Sequence, residues 1–172
     1  SVNSRADFWK SIWEFSGLIF SKKYDSILDN GDDMLNSVWF KGARFNFAEN
    51  LLRYRDERPA LIFQSEILNR APETLSFREV FEYAARISNS LRKRGISAND
   101  RIGAVLPNMN EAILAMLGAT SIGAIWSSCS PDFGLDSILN RLGQIEPKIL
   151  FITDGYVYRG KKFDLLQIIL FP

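Results

Sequence analysis

From about residue 58 onward, short apolar runs alternate with stretches whose apolar residues recur every three or four positions. The run Ala60-Leu-Ile-Phe63 predicts a strand. After it, Phe77, Val80, Phe81, Ala84, Ile87 and Leu91 fall on one face of a helix that Ser76 opens, with Glu79 three residues on in the capping-box arrangement. Arg92, Lys93 and Arg94 suit the negative end of that helix, and Gly95 supplies a left-handed cap. Next come a strand at Ile102-Gly-Ala-Val-Leu106 stopped by Pro107, a helix from Asn110 to about Ile122, and a strand at Ala124-Ile-Trp-Ser-Ser128. A helix from about Leu135 to Ile145 and a strand at Ile149-Leu-Phe-Ile152 complete the series.

Between Ile102 and Pro131 the one charged residue is Glu111, so strands and intervening helix must be largely buried. That pattern belongs to a parallel sheet covered on both faces, and the expected class is α/β: a partial parallel sheet with helices on both faces. Parallel strands joined by helical crossovers place ligands beyond their carboxyl ends. Three loops are therefore expected on one edge: Pro107-Asn108, Cys129 to Gly134, and Thr153 to Lys162.

Residues 1 to 57 have another texture, aromatic and irregular. Phe8, Ile12 and Phe15 predict a helix over Asp7 to Phe15, with Trp9 and Trp13 beside them, and Phe47, Leu51 and Tyr54 predict another over Asn46 to Arg55. Asn30-Gly31-Asp32-Asp33 marks a turn, and its two carboxylates diverge rather than form an acid/base or metal site. The expectation is an N-terminal wrap, residues 1–57, whose rings are buried against a neighbouring surface. It precedes a main domain over 58–164 and an apolar tail over 165–172.

Composition narrows the chemistry. With no histidine the chain builds neither a Ser/His/Asp nor a Cys/His nucleophile, and it lacks the commonest zinc ligand. The single Cys129 reads as a small buried hydrophobe in a reducing compartment, the cytosol being expected. Lys plus Arg number 21 against 20 Asp plus Glu, a net charge of +1 that gives no pull toward nucleic acid. The apolar window Ala112 to Trp126 is shorter than a bilayer span, so no membrane partner is expected. Neither G-x-x-x-x-G-K-[ST] nor G-x-G-x-x-G occurs, which counts against a nicotinamide oxidoreductase. Ser127 to Gly134 is small and polar and feeds a helix N-terminus, a geometry suited to a phosphate but one that an ordinary strand-to-helix turn shares. Arg159, Lys161 and Lys162, with Tyr156 and Tyr158, could offer charge and a ring to a nucleotide.

Two longer stretches carry a resemblance. Trp39-Phe-Lys-Gly-Ala-Arg-Phe-Asn-Phe-Ala-Glu-Asn-Leu-Leu52 resembles the entry segment of the AMP-forming acyl-CoA synthetases, members of the adenylate-forming superfamily. Ser121-Ile-Gly-Ala-Ile-Trp-Ser-Ser-Cys-Ser-Pro-Asp-Phe-Gly134 resembles their second shared core motif, in the form of the acetoacetate-specific branch. The likeness covers about residues 5 to 164 and implies the N-terminal part of the family's large domain. It implies a two-step ligase whose small-molecule partners are ATP with Mg2+, acetoacetate and CoA: acetoacetyl-AMP forms with release of pyrophosphate, and the CoA thiol then displaces AMP. Carried over position by position, it assigns CoA binding to Pro131, Asp132 and Phe133 and to the basic loop Tyr158, Arg159 and Lys161, Lys161 meeting the nucleotide phosphates. Tyr158 and Lys161 stand where the acetyl-CoA branch has arginines, so a bidentate clamp becomes a point-charge contact. The family's phosphate loop, adenine motif, ribose-binding aspartate and catalytic lysine are not among these residues. No catalytic residue and no metal ligand is therefore assigned, and the segment is expected to give no turnover by itself. The alternative is a non-enzymatic module that binds CoA or a protein partner. The apolar tail Ile168-Ile-Leu-Phe171-Pro172 is expected to promote self-association unless it is covered.

Overall fold

The computed structural model describes residues 4–66 and 71–165, so the tail from residue 166 lies outside the described residues. The chain divides into two compact units, Ser1–Leu51 and Leu52–Pro172.

In the first unit, helix α1 (Arg5–Phe15) is followed by strands β1 (Ser26–Asp29) and β2 (Val38–Lys41), which pair antiparallel, and by the short helix α2 (Phe47–Leu51). Its centre is Trp13, whose ring meets Phe20, Tyr24, Phe40 and Phe45 at centroid separations of 5.4, 5.1, 4.9 and 6.0 Å. Edge-to-face and tilted pairs at these distances are favourable for ring quadrupoles. Burial of the aromatic set as a whole is corrected: Trp13 is buried, whereas Phe8, Trp9, Phe15 and Trp39 remain exposed. The second expected helix is also shorter than Asn46 to Arg55. Asn46 caps it through the Glu49 N–H at 3.0 Å, and its apolar positions Phe47 and Leu51 stay exposed, so no buried face extends it beyond Leu51. The Asn30 turn forms as expected, and its carboxylates do diverge: Asp32 pairs with Arg5 at 3.1 Å, and Asp33 accepts from Asn36 at 2.7 Å.

The second unit opens with β3 (Pro59–Phe63) and β4 (Glu73–Ser76), an antiparallel pair whose second strand the apolar pattern does not announce. Ser76 ends β4 and caps α3 (Phe77–Lys93). Its hydroxyl accepts from the Glu79 N–H at 3.2 Å while the Glu79 carboxylate accepts from the Ser76 N–H at 2.8 Å. Gly95, at φ +78, provides the left-handed exit. Then follow β5 (Arg101–Val105), α4 (Asn110–Ser121), β6 (Ile125–Cys129), a single 3-10 turn (Pro131–Phe133), α5 (Gly134–Leu142) and β7 (Ile149–Ile152).

These three strands form one parallel sheet in the order β6-β5-β7. Alternation along them sorts the core into two layers. Ile102, Trp126, Ile149 and Phe151 pack with Ile87 and Leu91 of α3 and Ala119 of α4, whereas Val105, Cys129 and Ile152 pack with Ile138 and Leu142 of α5. The sheet is thus parallel and covered by helices on both faces. α3 and α4 approach closely at Gly118, where a Cβ would lie 2.6 Å from Cγ2 of Ile87.

The segment after β7 departs from the expected loop. Gly155–Tyr158 (β8) and Lys161–Asp164 (β9) form a two-residue hairpin. Arg159 and Gly160 take φ of +50 and +73, the positive pair that a tight turn between right-twisted strands requires. The Leu165 N–H, bonded to the Asp154 carbonyl at 2.8 Å, closes its base, and Leu165 itself is buried with α5.

Candidate functional site

The strand order fixes where a ligand can enter. β5 leaves toward α4 on one face and its neighbour β6 leaves toward α5 on the other, so the chain diverges above their carboxyl ends and opens a crevice there. A cleft of about 980 Å3 occupies this edge. Pro107, Asn108 and Met109 reach it from β5, Ser130 and Asp132 from β6, and Thr153 and Asp154 from β7. The three loops expected to share one edge do share it. The hairpin contributes Tyr156, Val157, Tyr158 and Lys162, and Phe63, Gln64, Ser65 and Glu66 form a further wall with Glu73.

The β6 loop is held from within. The Ser130 hydroxyl donates to Oδ2 of Asp132 at 3.0 Å and accepts from the Asp132 N–H at 3.4 Å. Pro131 is buried, Phe133 is 45% exposed, and Gly134 at φ +72 turns the chain into α5. Upstream of the loop Cys129 is buried, its thiol 3.8 Å from the Ala104 carbonyl. Burial pushes that thiol above its ordinary range, against a smaller opposing pull from Arg141, so it is suited to packing and not to nucleophilic attack.

Tyr156 of the hairpin faces the same cleft as this loop. Its ring stacks on Phe163 with centroids 5.0 Å apart and 13° between planes, and its hydroxyl lies near the Asp132 carboxylate. Burial first, and then Asp132, raise the phenol above its ordinary value, so Tyr156 is a proton-bearing donor at neutral pH. At the hairpin tip the Arg159 guanidinium lies 5.2 Å from the Tyr158 ring centroid. Lys161 is paired directly with Tyr158, so these two side chains share one face of the hairpin.

Of the six residues the resemblance assigns, Asp132 and Tyr158 line the cleft; Pro131 and Phe133 flank Asp132, and Arg159 and Lys161 stand at the hairpin tip. The residue pattern did not reveal the Phe63–Glu66 wall, because β4 pairs with β3 across a long connection that carries no short-turn signature. The alternation of Thr74, Leu75 and Ser76 just before the capping box is the signal that finds it.

The charges of the lining bear on which chemical groups fit where. Among the described lining residues are the carboxylates Glu66, Glu73, Glu111, Asp132, Asp154 and Asp164, against the single ammonium of Lys162. Such a lining repels a phosphate. Arg159, Lys161 and Lys162 at the hairpin rim attract one, and the neutral donors and rings of the interior suit an uncharged amide-bearing arm. Among the described residues there is no group of three or more His, Cys, Asp or Glu side chains placed to hold a metal ion, and no helix long and apolar enough to cross a membrane.

Comparison with known proteins gives concordant results. The family described as AMP-binding enzyme matches residues 47–168, and that described as acetyl-coenzyme A synthetase N-terminus matches residues 1–51. The chain is 41% identical over 168 residues to the acetoacetyl-CoA synthetase of Macaca fascicularis, covering 97% of this chain and 25% of that protein. It is 45% identical over 165 residues to the acetoacetyl-coenzyme A synthetase of Rhizobium meliloti (strain 1021), covering 96% of this chain and 25% of that protein. The solved acetoacetyl-CoA synthetase from Streptomyces lividans superposes with a TM-score of 0.89 at 36% identity, over 98% of this chain and 26% of that one. The chain therefore spans about a quarter of the length of these relatives.

Proposed function

The chain belongs to the AMP-binding enzyme family, and from that premise we propose that it supplies the coenzyme-A side of the active site of a cytosolic acetoacetate–CoA ligase. Such a ligase couples acetoacetate to CoA at the expense of ATP with Mg2+, releasing AMP and pyrophosphate. In this reading Pro131, Asp132 and Phe133 border the arm of the coenzyme, while Tyr158, Arg159 and Lys161 receive its nucleotide end. The observation that carries the proposal is the convergence of the three strand-end loops and the basic hairpin on one cleft. The near-complete overlap of this chain with proteins named acetoacetyl-CoA synthetase supports it.

The roles follow from charge and shape. Lys161 offers a compact ammonium to a phosphate, a contact less constrained in angle than a guanidinium fork. Arg159 is braced on the Tyr158 ring, which limits the freedom its side chain loses on binding. Asp132 already accepts from the Ser130 hydroxyl, so its role is to order the loop. No residue of the chain is proposed to adenylate the acid, and the 172 residues alone are proposed to give no turnover.

A thermal-shift titration with CoA, with ATP plus magnesium as the comparison, tests both parts. The expected outcome is a CoA-dependent rise in melting temperature, with affinity reduced roughly tenfold by Lys161→Ala, the scale of one hydrogen bond to a charged group. A sound cooperative melt with no CoA shift overturns the binding role. Pyrophosphate release from ATP and acetoacetate by this chain overturns the absence of turnover.

A further inference from the structure

Two of the three residues in the turn after β6 are fixed by their surroundings, since Pro131 is buried and Asp132 is held by the Ser130 hydroxyl. Phe133 is different. Its ring is 45% exposed, and the backbone that follows it is Gly134, which has no heavy atom within 4 Å of where a Cβ would stand. The Arg141 guanidinium lies over this ring, 4.4 Å from its centroid.

Arg141 lies in the last turn of α5, two turns beyond Phe133. Long side chains on a helix lean toward its N-terminus, so Arg141 reaches back along α5 to the start of the helix. The electron-rich ring face attracts the cation, and the guanidinium plane restricts the ring's rotation.

We propose that Arg141 is a positioning residue for coenzyme A recognition, fixing the exposed Phe133 ring in the same turn as Asp132, which lines the cleft. The inference rests on the coenzyme-side reading of the site given above. Without Arg141 the exposed ring samples several rotamers, and each binding event must restrict them again. The effect is therefore on coenzyme affinity, exerted through Phe133, and not on fold stability.

Calorimetric titration of CoA into the 172-residue chain and into Arg141→Ala, Arg141→Lys, Phe133→Ala and Arg141→Ala/Phe133→Ala tests it. Arg141→Ala is expected to weaken binding about two- to fivefold, the scale of one exposed cation–ring contact. Its melting temperature is expected to be unchanged, and Arg141→Lys to recover part of the loss. In the Phe133→Ala background, removal of Arg141 is expected to cost nothing further, because the partner through which it acts is gone. Full affinity in Arg141→Ala, additive losses in the double variant, or a lowered melting temperature with unchanged affinity each overturn the inference and leave the coenzyme reading standing. Absence of CoA binding by the unsubstituted chain overturns both.

Discussion

Asp100 shows how one carboxylate can join separate parts of a sheet. It lies just before β5, is buried, accepts from the Ser97 N–H at 2.8 Å and pairs with the Lys148 ammonium at 2.6 Å at the entrance to β7. The neighbouring Arg101 donates to the carbonyls of Ile145 and Glu146 at 2.8 and 3.2 Å, so the two strand starts are bound twice. The Lys148 hydrogen bond, followed by the Ser97 N–H, holds the Asp100 carboxyl down at about 2, against an ordinary 3.8. Only the folded state lowers this value, so its contribution to stability is complete above 3.8 and is lost as pH falls through about 2. Melting curves from pH 7 to pH 2 should show that loss in the wild type. Asp100→Asn should melt lower at pH 7 and show a flatter acid limb; parallel limbs would refute the assignment. A second single-residue prediction concerns Gly118. A Cβ there meets Ile87 at 2.6 Å, so Gly118→Ala should destabilise by about 1–3 kcal/mol. Gly143, at φ −61 with nothing within 4 Å, should accept alanine with a gain of up to about 1 kcal/mol. Chemical denaturation of the pair measures the difference.

At the level of elements, α3 depends on a reciprocal cap that closes a strand and opens a helix at the same residue. Ser76→Ala removes the acceptor for the Glu79 N–H and should cost about 1–2 kcal/mol, read from the urea midpoint at unchanged slope. This cap was legible in the residues, as were α4, α5 and the three parallel strands, because a long apolar face or a fully apolar run has one low-energy burial. The common edge of the three loops was legible for the same reason: crossover handedness leaves little choice once the strands are parallel. β3 was legible too, but its partner β4 and the hairpin were not. These strands are four residues long, of mixed burial or exposed, and a short run such as Tyr156-Val-Tyr158 satisfies loop and strand patterns alike. The extra cleft wall went unseen with β4, and the aromatic N-terminal segment misled because a ring's preference for burial does not say which rings find partners. Trp13 did; Phe15, 90% exposed, did not.

At the scale of the whole molecule, the described residues carry several exposed apolar side chains. Met34 and Leu35 are 88% and 89% exposed in the turn between β1 and β2, adjacent along the chain. So exposed a pair contributes little to folding and is the point at which two copies of the chain would first meet. Met34→Gln/Leu35→Gln should leave the melting temperature within about 1 °C while lowering the sedimentation-measured oligomer fraction at high concentration. An unchanged oligomer fraction would refute a role for this pair in association.

The strand order β6-β5-β7 also bears on how the chain is made. Synthesis delivers β5 first and β6 next, and β6 takes one side of it; the opposite side is the place of β7, which arrives only after α5 has been completed. From the moment Val105 leaves the ribosome until Ile152 follows it, the Ile102–Val105 backbone presents an open row of amides and carbonyls along a strand that is buried in the finished protein. A pause in translation within α5 would prolong that interval, so codon speed between residues 134 and 148 should influence the soluble yield even though the amino-acid sequence is untouched.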